Sequence, residues 1–331
     1  NTGAIAKWWR NVDKQILFLF IFLFFLGLLF SFSSTSSVIS EKMNKETYFF
    51  FKRHLTFVFI ALFLLIIISV QEKNKIIKFI LPIFAISILL LFLVSLIGVE
   101  IKGSKRWIDL FFIPRFQPIE LVKPLFILFV AKIIVLNDKM NIYSRYLFSF
   151  FVLSMIVVLL TNQPDLGQTL LLIASWITMV FVSGFNMIVL TILALVVLSV
   201  FGLLIYFFPS KFGYVFLRIQ TFFNPEVGDN FQSQKALDAI KQGGLTGQGM
   251  GEGVLKYKMP EAHTDYIIAV ISEEFGALFV LLIVILFLLI SYKVFNRLFL
   301  ETDEFLKLSL IGLVSLLIIQ IDTTIDTTAR I

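Results

Sequence analysis

The chain has 331 residues, of which 59% are hydrophobic and 15% charged, with 40 Phe and a mean hydropathy of +0.95. That much apolar surface excludes a soluble protein and points to a polytopic helical membrane protein, because a span needs roughly 20 apolar residues to cross the hydrocarbon. A net charge of +6 fits loops against anionic headgroups better than nucleic-acid binding, and the absence of Cys excludes disulfides and thiolate metal sites.

Asn1 to Gln15 is polar, with Trp8 and Trp9 among basic residues, as suits an interfacial anchor. Ile16 to Phe32 has no small-residue cleavage site before Ser33, so it reads as the first span and not as a cleavable signal. Further spans are predicted at Leu55–Val70, Ile76–Ile97, Gln117–Leu136, Tyr146–Thr161, Gln168–Val182, Met187–Phe208, Thr264–Ser291 and Leu308–Ile321. The fold class is therefore all-α, a single transmembrane domain over residues 1–331 with about nine transmembrane helices. The stretch from Gly98 to Arg115 reads as a loop, and residues 209–263 as one large loop between the seventh and eighth spans. The Lys/Arg bias between the two sides is weak. It favours an inside N-terminus, which puts the large loop outside. Asn1 in place of Met and the end at Ile331 leave open that the chain is a fragment.

Ionisable groups within spans cost roughly 2.5–3.5 kcal/mol each at a helix centre on insertion scales. Glu120, Lys123 and Lys132 fall in the fourth span, Glu273 and Glu274 in the eighth, and Asp165 in a short connection. The bland reading makes Glu120 and Lys123 an interfacial ion pair and gives Glu273 or Glu274 a lysine on a neighbouring helix. The functional reading is a polar cavity between the fourth and eighth spans.

The large loop holds Gly243, Gly244, Gly247, Gly249, Gly251 and Gly253. The spacing matches no nucleotide-binding loop, so the glycines read as a backbone that turns tightly or approaches a ligand closely. The loop ends in Pro260-Glu261-Ala262-His263-Thr264-Asp265. The other histidine, His54, falls in a distant loop by the same reading, so a zinc site is not expected. Asp265 fits the first turn of the eighth span, where a carboxylate meets the positive helix end. It also stands at the membrane face, where a general base for a membrane-bound substrate would sit.

Three blocks resemble the SEDS family, the FtsW/RodA peptidoglycan glycosyltransferases. The first is Gly103-Ser104-Lys105-Arg106-Trp107 with Gln117-Pro118-Ile119-Glu120-Leu121-Val122-Lys123, where Ile119 replaces the family's usual Ser. The second is Gln163-Pro164-Asp165-Leu166-Gly167. The third runs from Phe231 through the glycines and Pro260 to Asp265, then Glu273-Glu274-Phe275-Gly276. The wording of the third block and the Trp8-Trp9-Arg10 start are more similar to the division branch, FtsW, than to RodA. After Gln320 the family continues through a Pro-rich loop into a tenth span. Here the sequence reads Ile321-Asp322-Thr323-Thr324 and ends at Ile331, so that final loop is expected to be missing.

The resemblance implies a multi-pass protein of the bacterial cytoplasmic membrane with its active side extracytoplasmic. The implied reaction is inverting polymerisation of lipid II into glycan strands during cell division. It implies Asp265 as catalytic base. Arg106 and Lys123 are candidates for holding the pyrophosphate, with Glu120, Asp165, Glu261, His263 and Glu273 as substrate-binding supports. No protein-bound metal is expected, although a divalent cation, Mg or Mn, could share the pyrophosphate. A class B penicillin-binding protein and other division proteins are the implied partners. Two competing readings are a lipid-linked precursor flippase, since charges within spans fit that too, and a non-catalytic division scaffold.

Overall fold

The computed structural model describes residues 3–34, 48–101, 104–110, 113–207, 231–255 and 266–329, together with positions 213 and 220. Its elements in chain order are α1 (Ala4–Asn11), α2 (Lys14–Ser34), α3 (Phe49–Val70), α4 (Lys73–Ile97), three short strands, α5 (Ile119–Leu136), α6 (Ile142–Asn162), α7 (Leu166–Val182) and α8 (Met187–Phe207). Then follow α9 (Phe231–Gly243), α10 (Ile267–Phe275), α11 (Ala277–Leu300) and α12 (Glu304–Ala329). Among the described residues six helices are long and apolar enough to cross a membrane, and α7 is a shorter apolar helix. Among the described residues the expected spans fall on helices, one each except for the eighth, so the protein is an all-helical, multi-pass membrane protein.

The chain forms two compact units: Asn1–Ile76 with Asn230–Asn296 and Ile321–Ile331, and Ile77–Asp229 with Arg297–Gln320.

In the first unit, Asp13 starts α2 by accepting the backbone amides of Gln15 and Ile16 at 3.0 and 3.2 Å, which satisfies donors that the first turn leaves orphaned. The indole N–H of Trp8 on α1 donates to Ser69 Oγ at 2.8 Å, tying α1 to the end of α3. The histidine expected in a loop, His54, lies on α3 instead. Its ring reaches Gly27 of α2, where an added Cβ would meet Nε2 at 3.4 Å. The run Phe49-Phe50-Phe51 extends the apolar stretch past the basic residues, so the helix starts earlier than the loop assignment assumed. Leu26 and Phe30 of α2 pack on Ile271 of α10 and Leu286 of α11. The helix α9 packs on α10 through Ala236, Ala239, Ala269 and Val270, with Leu255 in the same cluster. Small residues there let the two backbones approach closely.

In the second unit, α5 is the buried centre. Val122, Phe126, Ile127, Val130 and Ala131 are all at 0% exposure. Phe84 of α4 stacks on Phe129 with ring centroids 4.6 Å apart. Gly312 of α12 faces Ile127 and Met179 so closely that a Cβ would overlap both. The fourth span can carry Glu120, Lys123 and Lys132 because protein surrounds much of it. Lys132 donates to the Ile77 carbonyl at 2.7 Å.

Two features depart from the expected layout. The described residues of the stretch expected as a loop form an antiparallel sheet in the order β1 (Val99–Ile101), β2 (Ser104–Leu110), β3 (Ile113–Phe116). Val99 pairs with Trp107, and Ile108 with Phe116. β-Branched and aromatic residues suit a pleated, half-buried surface. The second departure is the eighth span. It is two helices, α10 and α11, broken at Gly276, whose φ is 84°.

Candidate functional site

The alternation of strand β2 decides where Arg106 points. Residues two apart share a face, and Ile108 is buried at 1% exposure while Lys105 and Asp109 are exposed. Arg106 therefore turns inward with Ile108. Its Nε donates to the Gln163 carbonyl at 3.1 Å, and its terminal nitrogen donates to the Pro164 carbonyl. Nε lies 3.7 Å from Asp165 Oδ2. Asp109, on the other face, pairs outward with Arg115 at 2.6 Å.

Asp165 is buried just before α7. Its carboxylate also accepts from Gln117 Nε2 at 3.1 Å, and its backbone carbonyl accepts from Thr169 Oγ1 at 2.7 Å. Gln163 donates to the Leu91 carbonyl of α4 at 3.1 Å. The short connection is thus pinned from strand, helix and side chain at once.

One turn further along α5, Lys123 is buried at 1% exposure. Its ammonium sits 2.8 Å from Glu120 Oε2 and donates to Gln320 Oε1 of α12 at 3.3 Å. Glu120 in turn accepts from Gln168 of α7 at 3.4 Å. Two cations, each beside a carboxylate, therefore occupy the same ends of α5 and α7. Four glutamines, at 117, 163, 168 and 320, knit this constellation together. Sequence reasoning gave them no role. The available signal was an uncharged amide at the edge of an apolar helix, where a buried polar group needs partners.

The bland reading of Glu120 and Lys123 as an ion pair holds in this geometry. Of the two glutamates offered a lysine partner, Glu273 meets backbone instead. Its Oε1 accepts the backbone amides of Val254 and Leu255 at 2.7 and 2.8 Å, while its Oε2 is buried without a hydrogen bond. Glu274 accepts from Ser33 Oγ of α2.

The glycines find their reason at the break between α10 and α11. Gln248 and Gly249 donate their amides to the Glu273 and Glu274 carbonyls at 2.9 and 3.0 Å. Ala277 and Leu278 donate to the carbonyls of Gly244 and Leu245 at 2.9 and 3.3 Å. The glycine stretch thus caps the end of one helix and the start of the next, where backbone groups are otherwise orphaned. A Cβ at Gly243, Gly247 or Gly276 would overlap backbone atoms of the opposite segment. The close approach is to a broken helix of the chain itself.

Asp265, Glu261 and His263 lie outside the described residues. Among the described residues no group of three or more His, Asp or Glu could hold a metal ion.

The profile of the FtsW/RodA/SpoVE family, described as cell cycle protein, matches residues 14–329. The chain is 29% identical over 310 residues to "Probable peptidoglycan glycosyltransferase FtsW" of Caulobacter vibrioides, covering 94% of this chain and 78% of that one. It is 32% identical over 291 residues to the protein of the same name from Pasteurella multocida, covering 85% and 72%. The fold is similar to a chain in a structure of a peptidoglycan synthase complex that coordinates polymerization and crosslinking, with TM-score 0.73 at 22% identity over 97% of this chain and 88% of that one. The rod shape determining protein RodA of Thermus thermophilus gives TM-score 0.64 at 22% identity over 96% and 85%. With the three motif blocks and a profile match over nearly its whole length, this chain belongs to the SEDS family of FtsW and RodA proteins.

Proposed function

We propose that this chain polymerises lipid II into glycan strands at the outer face of the bacterial cytoplasmic membrane, in cell division, with residues 1–331 working as one transmembrane domain. The observation that carries the reading is the pair Arg106 and Lys123. Two cations are held ready beside Asp165 and Glu120 at one end of α5 and α7, in a chain whose relatives are named peptidoglycan glycosyltransferases.

The chemistry needs a base for the acceptor and cations for the leaving group. The carboxylate of Asp265 takes the proton of the acceptor sugar's 4-hydroxyl. That oxygen forms a bond to the donor's anomeric carbon, inverting it. The bond from that carbon to the pyrophosphate oxygen breaks, and its electron pair leaves with the lipid pyrophosphate. Arg106 and Lys123 meet the charge that develops there, and preorganised positive groups are worth most in a water-poor site. Glu120 and Asp165 keep the two cations placed until substrate arrives. Glu261 and His263 are assigned to the acceptor side on their nearness to Asp265 in the chain. The partner that fits the reading is a class B penicillin-binding protein, which would crosslink the strand made here.

The test is lipid II polymerisation by the purified chain with that transpeptidase. The parent should make polymer, and Asp265→Asn should lose on the order of 10² to 10⁴ in rate. Arg106→Ala and Lys123→Ala should weaken lipid II binding and turnover. Equal rates for Asp265→Asn and the parent would sink the base assignment, and unchanged binding and turnover in both alanine variants would sink the cation roles.

A further inference from the structure

Two lysines far apart in sequence meet at one groove in the first unit. Lys14 stands at the start of α2 and Lys293 in the last part of α11. With Gln15, Phe18, Leu19 and Leu289 they line a groove of about 300 Å³. The Lys293 ammonium donates to Gln15 Oε1, and the Lys14 ammonium lies 5.4 Å from the centre of the Trp9 ring. Both contacts orient a cation, and neither neutralises it. No Asp or Glu occurs in α2 or α11. Asp13, which precedes Lys14, is committed to the amides of Gln15 and Ile16. Among the described residues no carboxylate pairs with either lysine. Two like charges held at one groove repel until an anion joins them.

A free ion would meet that need, but the apolar part of the groove selects a lipid. Residues three and four apart share a helix face. Lys14, Phe18, Ile21 and Phe25 therefore form one stripe on α2, and its three apolar members are exposed. Lys293, Leu289 and Ile285 form a stripe on α11, and its apolar members are exposed too. The two lysines share one end of the helix pair, and further in Leu26 packs on Leu286. The helices are thus antiparallel, and each stripe runs from a lysine toward the hydrocarbon that both helices are long enough to cross. Trp8 and Trp9 stand beside this end, and tryptophan belongs at the headgroup level.

We infer that this groove binds an anionic glycerophospholipid, with its headgroup phosphate between the Lys14 and Lys293 ammoniums and an acyl chain along Phe18 and Leu289. Basic pockets between membrane helices suit such headgroups. Gln15 and Trp9 are the positioning groups, one for each cation. On the orientation favoured by the Lys/Arg bias, the lipid belongs to the cytoplasmic leaflet. The site is independent of the transfer chemistry proposed above.

The test is native mass spectrometry of the full chain in detergent, titrated with phosphatidylglycerol or with phosphatidylcholine of the same chains. Glycerol 3-phosphate serves as a headgroup without chains. The parent should bind phosphatidylglycerol about tenfold or more tighter than phosphatidylcholine, and Lys14→Gln and Lys293→Gln should each cost roughly fivefold, as expected for one cation near an anionic headgroup. The double Gln variant should bind both lipids alike, while the double Arg variant keeps the charges and should keep the preference. Lys75→Gln, at an exposed lysine of α4, should match the parent. Phosphatidylglycerol should also raise the thermal midpoint of the parent and leave that of the double Gln variant unmoved. Equal binding of the two lipids by the parent overturns the site. A preference kept by the double Gln variant, or lost equally in Lys75→Gln, overturns the role of the two lysines. Glycerol 3-phosphate bound as tightly as phosphatidylglycerol, or unchanged lipid binding in Phe18→Ala with Leu289→Ala, overturns the lipid and leaves a phosphate site.

Discussion

Arg106 shows how one side chain can hold three acceptors of the fold together. Its planar fork reaches two successive backbone carbonyls and the Asp165 carboxylate beside them. A lysine has the charge but not the fork, so it can satisfy one acceptor well and not three. Arg106→Lys should therefore destabilise the protein by about 1–3 kcal/mol, the range for leaving buried acceptors unmet, seen as a lower thermal midpoint in detergent. An unchanged midpoint would mean the connection is held by Gln117 and Gln163 alone. The motif made Arg106 legible as a candidate cation for the pyrophosphate. It did not show that the guanidinium is already occupied by the Gln163 and Pro164 carbonyls, because backbone carbonyls leave no trace in a sequence pattern.

The break between α10 and α11 is the element on which the glycine stretch converges. It would read as one apolar run, and hydropathy alone joins it. Gly276 ends the first helix because φ of 84° is open to glycine and strained for other residues. The glycine stretch from Gly243 to Gly253 then supplies amides and carbonyls to both sides of the break. Gly276→Ala and Gly247→Ala meet two penalties: a positive φ, worth roughly 1–3 kcal/mol, and a Cβ driven into opposing backbone. Both should lower the thermal midpoint sharply. Gly202→Ala is the contrast, since that glycine lies within α8 with open space around its Cα. There the substitution should be neutral or slightly stabilising, because alanine is the better helix former. Equal effects at all three positions would refute the packing account.

At the scale of the whole molecule, the proposed orientation is open to a direct measurement, and the absence of native cysteine keeps it clean. Lys75→Cys at the start of α4 and Glu252→Cys in the large loop both place a thiol at an exposed position. In intact spheroplasts a membrane-impermeant maleimide should label the Glu252→Cys chain and spare Lys75→Cys until the membrane is opened. The reverse pattern would invert the topology and move the proposed active face to the cytoplasm. The anchoring of α1 through Trp8 and Ser69 fits an N-terminus lying along one membrane face.

The sequence by itself determined the class of fold and the positions of the spans, since hydrocarbon thickness sets helix length and backbone groups in lipid must be satisfied within the helix. It also marked Glu120, Lys123, Lys132, Asp165, Glu273 and Glu274 as charges in places where charge is costly. Tertiary structure decided what those charges touch. The pairing of Lys123 with Glu120 was legible because they lie one turn apart, whereas its bond to Gln320 crosses 197 positions of chain. The sheet at Val99–Phe116, the break at Gly276 and the two amides held by Glu273 were likewise out of reach. Each depends on backbone groups that are chemically the same at nearly every position, and only their packing selects which of them meet.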